Sequence, residues 1–462
     1  MPLPRNETCR TRRPNMPAFD RLILPLLVGS VAVLTAACEP VPDLAPIEMA
    51  FSEGSTGAGA TKPSGHLTRS SFGQRIRRAV ETSPNLAQSE TGVDAAFADM
   101  DAAEGAFLPQ VSLGVNARSE RVDSDIADVS PYLRVSQLVY DGGAAAGDLA
   151  AARARVLASR GDQLQTAAAT ALAAIETYVL VIDRRKIVEI ARENVRRHEE
   201  IEKQISDRAA QGAGSAADVL TARSRVADAR TKLADARAQA DRANARFQEV
   251  FGTPPGKLDP PVPAPNLSRS DAVIVMDSLQ VRRADAAVLA AQADRSAAIA
   301  RRQPDVRVSA FANQDESRDA NFGVDLSVNY ELDSTGQRRA AIAAAEARVK
   351  QAEYAREVLV REIQRQLGFI RSDQKAGAQR LREARIAAAA NADSVAATQE
   401  QFQIGRSSLI EILDAQRDYV NAQERLILAE QNFFLTNYAA LSLTGDIIDL
   451  LGIQLRTWGN RP

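Results

Sequence analysis

Three carboxylates occupy the positions in this chain best suited to chemistry: Asp218, Glu411 and Asp414. Glu411 and Asp414 are three residues apart, so on a helix they share a face. Asp218 follows the break Gly212-Ala213-Gly214, and Glu411 follows Gly405. Each acid precedes an apolar pair, Val219-Leu220 or Ile412-Leu413. Two kinds of work are open to carboxylates so placed. In the first turn of a helix they satisfy free amides and complement the helix dipole. Gathered around a narrow axis they repel one another, attract cations and disfavour anions. Catalysis is not indicated, because no nucleophile–base–acid pattern accompanies them. The two histidines, His66 and His198, read as solvated, and with Cys9 and Cys38 they form no metal-ligand spacing. No cofactor and no metal are expected. Gly142-Gly143 and Gly336 read as strand-to-helix turns, since neither leads into the Lys-Ser/Thr of a phosphate loop.

The elements that must position these acids are long helices. The chain has 462 residues, a formal net charge of -2 and 25% charged residues of both signs. That balance argues against nucleic acid as a partner, because phosphate binding needs a basic surface. Aromatics are 5%, and long stretches consist of Ala, Arg, Glu, Gln and Leu, all strong helix formers. Such composition suits long helices and coiled coils.

The N-terminus carries a different signal. Arg12, Arg13 and Arg21 precede an apolar run at 22–37 that ends in small residues. This is a secretory signal pattern, too short to span a bilayer comfortably. Translation from Met16 instead of Met1 would shorten its basic part. The run ends Leu34-Thr35-Ala36-Ala37-Cys38, which resembles a bacterial lipobox and makes Cys38 a candidate for lipidation. The alternative is ordinary cleavage that leaves Cys38 free. Residues 39–64, rich in Pro, Gly, Ser and Thr, read as a flexible tether.

Beyond the tether the chain reads as a duplication. Gly212 to Ala222 aligns with Gly405 to Ala415 without a gap, an offset of 193 residues. At the same offset Ala151-Ala152-Arg153-Ala154-Arg155-Val156 aligns with Ala344-Ala345-Glu346-Ala347-Arg348-Val349, and Gly252 with Gly445. Each half reads helix, strand, strand, long helix, glycine tip, helix. The expected organisation is a signal peptide at 1–37, tether at 38–66, first repeat at 67–252, Pro-rich linker at 253–269, second repeat at 270–445 and C-terminal tail at 446–462. In the strands, Val111, Leu113 and Val115 alternate with polar residues, as do Val324, Leu326, Val328 and Tyr330. Each strand is about the length that crosses a bilayer when tilted. Polar segments at 120–130 and 313–321 are the expected external loops. Four strands cannot close a barrel, and open edges cannot sit in hydrocarbon. Two copies of the chain would supply eight strands and three would supply twelve. A solvated coiled-coil stalk would have no use for such strands.

The order of these features resembles the TolC-like outer-membrane factor family from about Leu67 to Gly445. The matching motifs are Leu138-Val139-Tyr140-Asp141-Gly142-Gly143 before a long helix, and the tips ending Asp218-Val219-Leu220-Thr221-Ala222 and Glu411-Ile412-Leu413-Asp414-Ala415. The resemblance implies a mixed α/β, mostly α, membrane protein. It would be a homotrimer whose 12-stranded β-barrel in the outer membrane continues into a long α-helical coiled-coil barrel in the periplasm. It implies a passive exit duct for an efflux pump or a type I secretion system, with no enzymatic activity. The partners would be outer membrane lipid, a periplasmic adaptor (membrane fusion) protein and an inner-membrane RND or ABC transporter. Glu411 and Asp414 match the acidic positions of the pore gate, Asp218 matches an acidic position of the first tip, and Gly212, Gly214 and Gly405 form the tip turns. Phe402 and Ser407 fall where the family pattern has a tyrosine and an arginine, so the closed-state network should differ there. The competing reading is a periplasmic coiled-coil adaptor or scaffold, but adaptors carry one hairpin flanked by lipoyl-like and β-barrel domains. The cargo is not legible.

Overall fold

The computed structural model describes residues 41–52, 64–118, 128–265, 269–314 and 320–455. The expected signal peptide, Cys38 and the centres of both strand-connecting loops lie outside the described residues. In chain order come α1 (Ala45–Ser52), α2 (Gly65–Arg69), α3 (Ser71–Glu81), α4 (Pro84–Glu104), β1 (Gln110–Arg118), β2 (Asp128–Tyr140), α5 (Ala144–Ala210) and α6 (Ala216–Phe251). Then follow α7 (Asp271–Asp277), α8 (Leu279–Ala300), β3 (Asp305–Gln314), β4 (Ala320–Asn329), α9 (Gln337–Gln403), α10 (Leu409–Thr444) and α11 (Asp446–Leu451). The two long helices α5 and α9 are each 67 residues, and α6 and α10 are each 36. At 1.5 Å per residue a 67-residue helix is about 100 Å long.

Two helical stretches are each broken by a serine. Residues 67–81 divide at Ser70, whose Oγ accepts from Gly73 N at 2.9 Å. Residues 270–301 divide at Ser278, whose Oγ accepts from Val281 N at 3.4 Å. In both, the hydroxyl offers the backbone a cap in place of continued helix.

Alanine lets the long helices pack closely. One end of α5 lies against α4 and α8, and the other end pairs with α6 and α10. A Cβ on Gly147 would stand 2.9 Å from Ala297 N in α8, so that crossing requires glycine. By length and composition α5 could cross a membrane, but half of its most apolar window is buried in the body. It is a core helix here.

The main core lies mid-way along the helices. Phe72 of α3 meets Tyr178 of α5 edge-on at 5.0 Å, and Phe247 and Phe251 of α6 stack at 4.0 Å. The Pro-rich linker closes over this cluster: Tyr178 Oη donates to Asp259 O at 2.9 Å, and Tyr438 Oη to Val262 O at 2.6 Å. A buried tyrosine needs such a partner for its hydroxyl, so the linker serves as a wall of the core.

The segment expected to be a flexible tether is packed in part, and so is the C-terminal tail. Within the expected tether, Leu44 is buried with Ala154 and Ala290, and Phe51 enters the main core. In the expected tail, Ile447, Ile448, Leu450 and Leu451 of α11 are buried. Arg269 pairs with the fully buried Asp446, and Thr444 Oγ1 donates to the same carboxylate at 2.8 Å, which pins α11 in place. Apolar burial outweighs the entropy of a free tail once such a run meets a groove.

Candidate functional site

The strands form one antiparallel sheet in the order β1-β2-β3-β4. The register sorts their side chains. Val111 lies opposite Val135 and Leu113 opposite Leu133; Val308 lies opposite Leu326 and Ala310 opposite Val324. These residues share one face, and it is open: Leu113 is 82% exposed and Val324 75%. The other face carries Ser112, Asn116, Arg134, Ser309, Asp325 and Ser327. Arg134 and Asp325 pair across it at 3.5 Å. On this polar face Tyr132 lies over Gly114 and Phe311 over Gly323, each filling the space of a missing side chain. A soluble protein rarely leaves so continuous an apolar surface in water. Among the described residues the sheet is not closed, and β1 and β4 present free edges.

At the far end of the helices are the two tips. Both are Schellman turns. Gly212 N donates to Ala209 O at 3.0 Å and Ala213 N to Arg208 O at 2.9 Å. Gly405 N donates to Phe402 O at 3.1 Å and Arg406 N to Gln401 O at 2.8 Å. Gly212 has φ 78° and Gly405 φ 74°, the left-handed region that excludes most side chains. Gly214 is needed for room, since a Cβ there would lie 3.0 Å from Ala209 N. The hairpins that end in these turns are joined by a small core of Ile201, Ile205, Phe402, Leu409, Ile412 and Leu413, with Val219 against it.

The three candidate acids take different places around this core. Glu411 is exposed and closes a capping box. Its carboxylate accepts from Ser408 N and from Ser407 Oγ, both at 2.7 Å, while Ser408 Oγ accepts from Glu411 N at 3.3 Å. The Ser408 amide, then the serine hydroxyls, hold its carboxyl below the usual glutamate range, so it stays ionised further into acid. Asp414 is half-exposed one turn on and pairs with Arg417 at 2.9 Å. Asp218 lies in the first turn of α6, part-exposed. Glu411 and Asp414 thus lie near each other on one helix, while Asp218 is on the neighbouring hairpin.

Sequence reasoning missed Arg208. From the last turn of α5 its Nη2 donates to Phe402 O at 2.6 Å and to Gln403 O at 3.2 Å. Its guanidinium carbon lies 4.7 Å from the centre of the Phe402 ring. A basic residue in the last turn before a glycine was the available signal; its partner on a helix 194 residues away was not. His198 is a correction. Expected to be solvated, it is only 8% exposed, and its Nδ1 has no hydrogen-bond partner among the described residues. The charges around it in sequence do face water; the imidazole turns inward, near the level where Gln416 Nε2 reaches Asn194 Oδ1 at 3.5 Å. His66 is exposed as expected.

A sheet with one bare apolar face, set on helices of 67 residues, is matched by known proteins. The family model described as outer membrane efflux protein matches residues 76–253 and again residues 276–444. The chain belongs to the outer membrane efflux protein family. Outer membrane efflux protein BepC of Brucella suis biovar 1 (strain 1330) is 26% identical over 401 residues, covering 82% of this chain and 86% of BepC. Among solved structures, the CmeC outer membrane channel of Campylobacter jejuni superposes with a TM-score of 0.74 at 12% identity, covering 89% of this chain and 95% of CmeC. The outer membrane protein VceC of Vibrio cholerae gives 0.72 at 16%, covering 81% and 96%. These two likenesses speak to the fold. Family membership locates the protein in the outer membrane, reaching into the periplasm, in a family of efflux channels.

Proposed function

We propose that three copies of this chain close a 12-stranded barrel and form a passive exit duct, gated at the helix tips. The observation that carries the reading is the sheet: one exposed apolar face, one polar face and two unpaired edges. In hydrocarbon every edge amide and carbonyl needs a partner, and one chain supplies none for β1 and β4. Copies joined edge to edge satisfy them all, with the apolar face to lipid and the Arg134–Asp325 face to water. Four strands from each of three copies make twelve. Polar side chains would then line a bore that continues between the long helices.

At the periplasmic end, threefold symmetry would bring three copies of Glu411, Asp414 and Asp218 around the axis. The capping box orients Glu411 and keeps it charged, which suits a carboxylate ring as well as a helix cap. Energy would come from an inner-membrane RND or ABC transporter, reached through a periplasmic adaptor, for drug efflux or type I secretion. Single-channel recording of purified protein in planar bilayers tests the duct: discrete cation-preferring pores are expected. Protein that makes no pores and fractionates away from membranes would overturn it. The double variant E411A/D414A should conduct more and lose block by multivalent cations. Unchanged conductance and block would take both residues out of the gate.

A further inference from the structure

We propose that Arg208 is the positioning residue that holds the second helix tip against the first and so sets the resting aperture of the pore. The inference rests on the gating reading above and adds to it the group that keeps the tips together.

Three observations carry it. The first is position. Arg208 is in the last turn of α5, and both carbonyls it holds belong to the last turn of α9. The bond therefore joins one hairpin tip to the other directly. The second is chemistry. The last carbonyls of a helix lack helical amide donors and carry its negative partial charge. A guanidinium satisfies both features at once, and its Nη2 alone reaches two neighbouring oxygens. Phe402 O already accepts from Gly405 N, so the same carbonyl anchors the turn and the bridge. The third is packing. Phe402 is 1% exposed in the tip core, and the guanidinium lies over its ring. A tyrosine hydroxyl at this position would need a polar partner of its own; phenylalanine needs none and offers an apolar face to the cation.

Among the described residues the bridge has no reciprocal. At the offset that relates the two tips, the counterpart of Arg208 is Gln401, which lacks the charge. Arg208 thus adds a polar tie to the apolar core between the hairpins, and parting the tips requires breaking its two hydrogen bonds and its ring contact together. The acids at the tip act differently: Glu411 and Asp414 set the charge a solute meets, while Arg208 sets how far the tips stand apart.

The test is Arg208→Ala, Arg208→Lys and E411A/D414A, each purified as heat-resistant trimer and recorded in planar bilayers with and without a trivalent cation. Losing charged hydrogen bonds at a tip should raise open-state occupancy on the order of tenfold in Arg208→Ala. Block by the cation should persist, because the acids remain. Arg208→Lys keeps the charge without the planar group over the Phe402 ring and should restore part of the closed state, which a purely structural defect would not allow. If Arg208→Ala assembles poorly, Arg208→Gln keeps most of the stem and serves for the same reading. Normal occupancy in an assembled Arg208→Ala or Arg208→Gln trimer overturns the latch. In that case, loss of block in E411A/D414A would leave the gate standing without it, and retained block would bring down the gate as well.

Discussion

At the scale of single residues, Glu411 and His198 respond to pH in separate windows. The Glu411 carboxyl is held below its ordinary 4.5 by the Ser408 amide first and the serine hydroxyls next. A lowered folded value means that its contribution is present above the ordinary value and is lost as pH falls through the folded one. Amide exchange at Ser408 should therefore be protected near neutrality and lose protection only as pH falls below the ordinary glutamate range. In Glu411→Gln the protection should be weaker and flat across that range; an unchanged profile would show that the capping box contributes nothing at the tip. His198 has the opposite chemistry. Burial, then Arg225 and Lys232, push its imidazole below 6.5 against the pull of Asp228. The folded state thus resists a proton that the unfolded chain accepts. Stability should fall as pH drops from 6.5 toward the lower folded value, and no further loss is expected below it. Trimer melting temperature measured from about pH 7 to about pH 5 should decline in the wild type and decline less in His198→Gln. Parallel curves would mean that His198 does not couple to stability.

At the scale of elements, the sheet and the helices have different tolerances. In the proposed barrel a charge on the apolar face of β4 must enter lipid. Val324→Arg is expected to cost about 2–4 kcal/mol near the bilayer centre and to lower the yield of folded protein in outer membranes. Asn116→Arg on the polar face of β1 meets water and should fold near the wild-type level. Equal yields from the two variants would contradict the assignment of faces. The helix elements depend instead on small residues. The α5–α8 crossing at Gly147 has no room for a side chain, so bulky changes there act by separating helices. The core belt depends on polar atoms as well: Tyr178 and Tyr438 anchor the linker by their hydroxyls.

At the scale of the whole molecule, the decisive quantity is the number of copies. A lone chain leaves two sheet edges unpaired and an apolar face in water. Native mass spectrometry in detergent should therefore find trimers, with monomer appearing only on denaturation. A stable folded monomer would contradict a barrel shared among chains. A dimer would close eight strands, a bore that side chains largely fill, and would be ill suited to a duct.

The chain by itself determined everything that depends on local periodicity. Strand alternation, the long alanine-rich helices and the glycine tips were legible because each is written within a few turns or a few pairs of residues. α9 ends at Gln403, just before the Gly405 turn, and Asp218 and Glu411 lie in first turns. The carboxylate capping role was legible too, since Ser408 and Glu411 have the spacing of a capping box. Only the tertiary structure decided what depends on distant partners. The linker, α1 and α11 are core because grooves elsewhere in the chain receive Phe51, Asp446 and the apolar residues of α11. His198 is buried because α5 turns that face inward, although the charges beside it in sequence face solvent. Arg208 finds Phe402 and Gln403 because two hairpins converge, and no spacing within either hairpin announces it. Short-range order follows from backbone geometry and solvation of adjacent residues; contacts between remote segments follow from which surfaces the completed fold brings together.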